Sequence, residues 1–118
     1  MTSAWTVRLV AVSELDFQEI IKRSAQNFGP VQAEVYAQTL GFSIDALREK
    51  GPETIGVKDR EEIGTGIFML HAARHNRKAS HFLVFRVIEI RTIEVLRILH
   101  ERMDLARHIS QAQEPPRH

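Results

Sequence analysis

Cationic side chains gather toward the C-terminal end of this 118-residue sequence: Arg86, Arg91, Arg97, Arg102 and, when protonated, His100. Groups of this kind bind phosphate and stabilise charge developing on it, and an imidazole can deliver a proton to a leaving oxygen. Metal-free cleavage of RNA needs a base for the 2′-hydroxyl, cations for the phosphate and an acid for the leaving oxygen. Arg86, Arg97 and His100 are the residues that would fill those roles. The competing reading is structural. Arg86 and Arg97 sit inside the apolar runs FLVFRV and EVLRIL, where an Arg can snorkel outward or pair with a carboxylate such as Glu94. His71, His75 and His81 fall at a strand end, in a turn and at the next strand's start, so a hairpin could bring them face to face. A metal site also needs a carboxylate or third His at a defined position. None is evident, so no metal is expected.

Other chemistries find no support. No Ser-His-Asp order or Gly-x-Ser-x-Gly elbow is present. Glu61 and Glu62 are adjacent but belong to a polar loop, which argues against a carboxylate dyad. Gly64-Thr65-Gly66 lacks the Gly-Lys-Ser/Thr ending of a phosphate loop and does not open a helix. There are no cysteines, so disulfides and thiolate metal sites are excluded, in keeping with a reducing cytoplasm. No cofactor is expected.

Composition bounds the class. The chain is 43% hydrophobic and 26% charged, an ordinary globular balance for one domain over residues 1–118. Its ordered core is expected over about 5–110, with a frayed tail at 111–118 containing Pro115-Pro116. No stretch approaches the roughly 20 apolar residues of a membrane span, and the start reads as no signal peptide. The net charge is +1, unevenly spread. Met1 to Glu62 holds seven Lys/Arg against ten Asp/Glu, whereas Arg74 to His108 holds eight against four. A mildly basic C-terminal surface suits an acidic partner, or a solvated sheet edge.

The elements that must position these residues follow from periodicity. Trp5 to Val12 alternates as a first strand. Ser13 caps a helix with Glu14 and Asp16 in its first turn and Leu15, Ile20, Ile21 and Phe28 on one face. Asn27-Phe28-Gly29-Pro30 ends it. A second helix over Val31 to Glu49 carries Ala33, Tyr36 or Ala37, Leu40, Ile44 and Leu47 at helical spacing, with Tyr36 read as core. Gly51 to Gly66 reads as a polar loop. Strands are expected at Ile67–Ala73, Ser80–Val87 and about Thr92–Leu99. The joint at Ile88–Arg91 has no Gly, Asn, Asp or Pro, so a longer loop or a bulge is expected there. A short helix near Glu101–Ser110 closes the chain. The fold class is α+β: an N-terminal strand and an antiparallel helical hairpin packed on a small four-stranded, mostly antiparallel sheet. The third and fourth strands are apolar on both faces. The hairpin covers one face only, so the other is left to the closing helix, to a bound partner, or to a curved sheet that buries both sets unaided.

This order of elements resembles the ParE/RelE superfamily of bacterial toxins. Arg60-Glu61-Glu62-Ile63-Gly64-Thr65-Gly66-Ile67 is similar to the loop before the second strand in the ParE branch. Phe82-Leu83-Val84-Phe85-Arg86-Val87 resembles its third strand. Ile93-Glu94-Val95-Leu96-Arg97-Ile98-Leu99-His100 resembles its signature strand, which ends in Arg-hydrophobic-Leu-His. Arg102 and Asp104 match loosely beyond it. Phe68 and Met103 depart, standing where the family commonly has basic residues. The resemblance implies a cytoplasmic toxin of the kind linked to plasmid stabilization, neutralised by a ParD-like antitoxin that wraps it. In the ParE branch the implied action is inhibition of DNA gyrase by binding, without catalysis or direct nucleic-acid contact. Arg97, His100, Arg102 and Asp104 would then recognise target or antitoxin. The RelE-like alternative is ribosome-dependent messenger RNA cleavage using Arg86, Arg97 and His100, although the closing segment lacks a tyrosine. A second alternative is a non-toxic relative acting as a binding module.

Overall fold

The computed structural model describes residues 5–103. Strand β1 (Thr6–Leu9) leads into helices α1 (Ala11–Phe28) and α2 (Pro30–Lys50), a 3₁₀ turn (Gly51–Glu53), and strands β2 (Lys58–Asp59), β3 (Ile67–His71), β4 (His81–Glu89) and β5 (Thr92–His100). The sheet order is β1-β5-β4-β3-β2. β1 runs parallel to β5, with Thr6 opposite Thr92 and Leu9 opposite Val95, and the other pairs are antiparallel. The α+β class and helical hairpin agree with expectation. The sheet has five strands, not four, because Lys58–Asp59 pairs with Phe68 and Met69. A two-residue edge strand exposed on both faces is too short to show an alternating pattern.

The first strand is also shorter than its sequence suggests. Val10 donates its N–H to Val95 O at 3.1 Å and remains extended, and the helix begins at Ala11. Ser13 is therefore not the cap. It lies in the first turn, fully buried, and its hydroxyl donates back to Val10 O at 2.8 Å. The packed face of α1 is correspondingly different. Phe17, Ile20 and Ile21 join the core, while Leu15 and Phe28 are exposed. In α2 the expected stripe holds: Ala33, Leu40, Ile44 and Leu47 are buried. Each large one contributes about 1.5–3 kcal/mol by leaving water. Gly41 does not break the helix.

Two apolar clusters sandwich the sheet. One joins the helices to Leu70, Leu83, Phe85, Ile93, Val95 and Ile98. The other, without helical residues, holds Ile67, Phe82, Val84, Leu96 and Leu99, none more than 4% exposed. The second strand face is therefore closed within the single chain, and its apolarity does not by itself require a partner. Along β4 the two sets simply alternate, Leu83 and Phe85 joining the first cluster and Phe82 and Val84 the second, while register shifts lie at Val84/Phe85 and Val87/Glu89. The β4–β5 joint combines the expected bulge with a tight turn: Glu89 pairs with Thr92, and Arg91 takes φ 54°. Residues 101–103 form a turn, with Met103 N donating to His100 O at 2.9 Å. The rest of the expected closing helix, with Asp104, lies outside the described residues.

Candidate functional site

A groove of about 1260 Å³ lies between the helical hairpin and the far end of the β4–β5 ladder. Its position follows from topology. β1 pairs with β5 only as far as Val95. Beyond that point the chain has turned into α1, so α1 rather than a strand faces the last residues of β5. Asp16 fills the resulting gap. Its carboxylate accepts bonds from Arg97 Nε (2.7 Å) and Nη2 (2.9 Å) and from the Ile98 backbone N–H (2.9 Å). Both side chains are about 15% exposed, Arg97 at 15% and Asp16 at 14%. The bidentate pair and the satisfied edge amide tie helix to sheet.

At the groove's other wall, Tyr36 packs against the core as expected and adds a polar role through its hydroxyl. Its hydroxyl accepts the Ser80 backbone N–H (3.0 Å) and shares a hydrogen bond with His81 Nδ1, 2.6 Å away. With no other acceptor for the phenol proton among the described residues, we assign the hydroxyl as donor to a neutral His81, which places the ring proton on Nε2. Its pKa is lowered to about 4, first by burial and then by the neighbouring His100. His81 and His100 are opposite one another in the β4–β5 register, with ring centroids 5.2 Å apart and edge to face. His100 Nδ1 accepts the Arg102 backbone N–H at 3.1 Å. His71 donates Nε2–H to Glu101 Oε1 (2.9 Å), and that bond holds the Glu101 carboxyl below its ordinary range. Arg77 closes the rim. It bonds Thr39 Oγ1 (2.8 Å) and Val35 O (3.3 Å), and its guanidinium lies 4.7 Å from the Phe42 ring centre.

The structure thus divides the residues singled out from sequence. Arg97, His100 and Arg102 line one groove. Arg86 does not line it and is bonded twice to Glu94, at 3.1 and 2.8 Å. Glu94 is the expected partner for Arg86 but not for Arg97, which takes Asp16. His71 and His81 join the site's surroundings, whereas His75 sits in the β3–β4 turn at φ 52°. Among the described residues, no group of three His, Asp or Glu is placed to hold a metal. Sequence reasoning missed Asp16, Tyr36 and His81 as site residues. Phe68, where the resemblance leads one to look for a basic side chain, stacks on Phe85 with ring centres 5.6 Å apart.

Residues 8–105 match the family described as ParE toxin of type II toxin-antitoxin system, parDE. The chain belongs to the ParE toxin family. Toxin ParE1 of Mycobacterium tuberculosis, in both strain CDC 1551 / Oshkosh and strain H37Rv, is 34% identical over 101 residues, 86% of this chain and 94% of that relative. The fold is shared with a chain of the chromosomal ParDE toxin–antitoxin system from P. aeruginosa. That likeness has a TM-score of 0.66 at 18% identity and covers 84% of this chain and 98% of that one. A chain of the RelBE2 toxin–antitoxin complex from Mycobacterium tuberculosis superposes with a TM-score of 0.54 at 22% identity, covering 85% and 94%. This ParE-family chain therefore carries the family fold over nearly all its described length, with the groove at the end of its signature strand.

Proposed function

We propose that this toxin acts in the cytoplasm by binding and inhibiting DNA gyrase, and that a ParD-like antitoxin neutralises it. Membership of the ParE family supports gyrase as the target. The observation that supports binding over phosphate chemistry is the pairing of both arginines: Arg86 is held by Glu94 and Arg97 by Asp16. A guanidinium already neutralised by a carboxylate stabilises a developing phosphate charge poorly. In this reading Arg97, His100, Arg102 and Asp104 serve recognition rather than bond breaking. The test is a supercoiling assay with purified gyrase. Inhibition that saturates with toxin and is reversed by a ParD-like antitoxin is the expected result. Full supercoiling activity at saturating, folded toxin refutes gyrase as the target. Ribosome-dependent messenger RNA cleavage lost in Arg97→Ala transfers the function to the RelE-like alternative. No growth arrest on induction of folded protein transfers it to a non-toxic binding module.

A further inference from the structure

His81 and His100 form a pair whose chemistry the binding reading leaves unused. Tyr36 occupies Nδ1 of His81 and the Arg102 amide occupies Nδ1 of His100. Each neutral ring is left with Nε2–H as its remaining polar group, and among the described residues neither Nε2 has a hydrogen-bond partner. Both rings line the groove. The same groove is lined by five Arg and Lys side chains against two carboxylates, Asp16 and Glu19. Asp16 is already engaged by Arg97, so the remaining charge balance favours an anionic visitor.

The rest of the lining identifies what kind of anion. Ile20, Phe28 and Val35 form an apolar wall, and Phe28 and Val35 are 72% and 43% exposed. Such a wall suits the apolar face of a polypeptide segment. The volume exceeds the roughly 300–1,000 Å³ of small-molecule sites. A single-stranded RNA is matched by aromatic stacking platforms; here the apolar wall offers one phenylalanine among aliphatic side chains, and the other groove aromatics, Tyr36, His81 and His100, are tied by hydrogen bonds at the groove's end.

We propose that the groove accepts an antitoxin segment that is apolar on one face and places one Asp or Glu carboxylate against the groove-lining edges of the contacting His81 and His100 rings, with a proton taken up from solvent as it binds. This inference rests on the antitoxin reading above. The charged and titratable groups facing His81 are Asp16 from α1, Tyr36 from α2, His71 from β3, and His100 and Glu101 at the end of β5. Burial first, then His100 and His71, keep the ring neutral in the free toxin, against the opposing pull of Glu101 and Asp16. A carboxylate seated against both Nε2–H groups reverses that balance. It stabilises an imidazolium and leaves Tyr36 to rotate its proton away from Nδ1. Binding and protonation are then linked, so each strengthens the other.

The experiment is titration calorimetry of the intact toxin with a ParD-like antitoxin that neutralises it, at pH 7.5 and pH 5.5 in two buffers of different ionisation enthalpy. If binding brings His81 back to its ordinary value near 6.5, affinity rises about tenfold between those pH values, with net proton uptake. His81→Gln and, independently, His100→Gln flatten that rise to less than about twofold. Imidazole NMR of the unmodified complex provides a readout that does not depend on either variant folding, and it shows His81 titrating near neutrality only when antitoxin is bound. Tight binding with flat pH dependence and no proton uptake overturns the carboxylate subsite while leaving the antitoxin reading intact. Absence of binding at either pH overturns both. A single-stranded RNA oligonucleotide that binds more tightly than the antitoxin and protonates His81 reassigns the pair to phosphate.

Discussion

Replacing Asp16 with Ala tests how the groove is held together. The carboxylate accepts three bonds, two from Arg97 and one from the Ile98 amide. Exposed ion pairs contribute about 0–1 kcal/mol, whereas removing one partner of a fully buried pair costs about 3–5 kcal/mol. With the two side chains 14% and 15% exposed, this pair lies nearer the buried limit. Asp16→Ala also strands the Ile98 N–H and leaves the Arg97 charge uncompensated. The expected loss is about 2–4 kcal/mol. Asp16→Asn keeps an acceptor for the amide but loses the charge, so about half that loss is expected. Urea denaturation followed by circular dichroism at pH 7 measures both. A double-mutant cycle with Arg97→Met isolates the pair, with an expected coupling of about 1–3 kcal/mol. A loss below about 1 kcal/mol for Asp16→Ala with unchanged m-value, or a coupling near zero, would show that helix packing alone fixes α1 against β5.

Two glycines predict opposite signs. Gly51 has φ 57°, and a Cβ there would fall inside the Trp5 indole, so Gly51→Ala should destabilise by about 2–4 kcal/mol in the same denaturation assay. Gly41 lies within α2 with nothing within 4 Å of an added Cβ, so Gly41→Ala should stabilise by about 0.5–1 kcal/mol. Stability should also depend on His81. Its folded pKa, about 4, lies below the ordinary 6.5. From pH 6.5 down to 4 the unfolded chain therefore binds a proton that the folded chain does not, and stability falls as pH falls through that window. Allowing for the ring's partial exposure, the loss is about 1–2 kcal/mol. The difference between unmodified protein and His81→Gln, measured at pH 7 and pH 4.5, isolates it. Identical pH slopes would count against a suppressed His81.

Periodicity and punctuation in the sequence determined much of this fold. The three- and four-residue spacing of Leu40, Ile44 and Leu47 states a helix with one buried face. The Gly29-Pro30 joint states where α1 gives way to α2, because Gly29 takes φ 92° and Pro30 opens the next helix. Phe82–Val87 and Ile93–Leu99 state strands by composition, and the Arg97-Ile98-Leu99-His100 run carried the family. These signals are local, so one dimension suffices to read them. What the sequence did not determine is which distant groups meet. Asp16 and Arg97 are 81 positions apart, and nothing local separates Asp16 from a helix-dipole acid such as Glu14. Tyr36 reads as core because an apolar spacing is blind to a hydroxyl that finds a partner 45 residues away. His81 and His100 become a pair only because the β4–β5 register places them opposite. That register passes through two irregularities, at Val84/Phe85 and Val87/Glu89, in a ladder that carries an apolar cluster on each face. The groove exists because β1 ends four residues into the parallel pair and α1 takes its place beside β5. That is a consequence of chain topology, and only the tertiary structure could decide it.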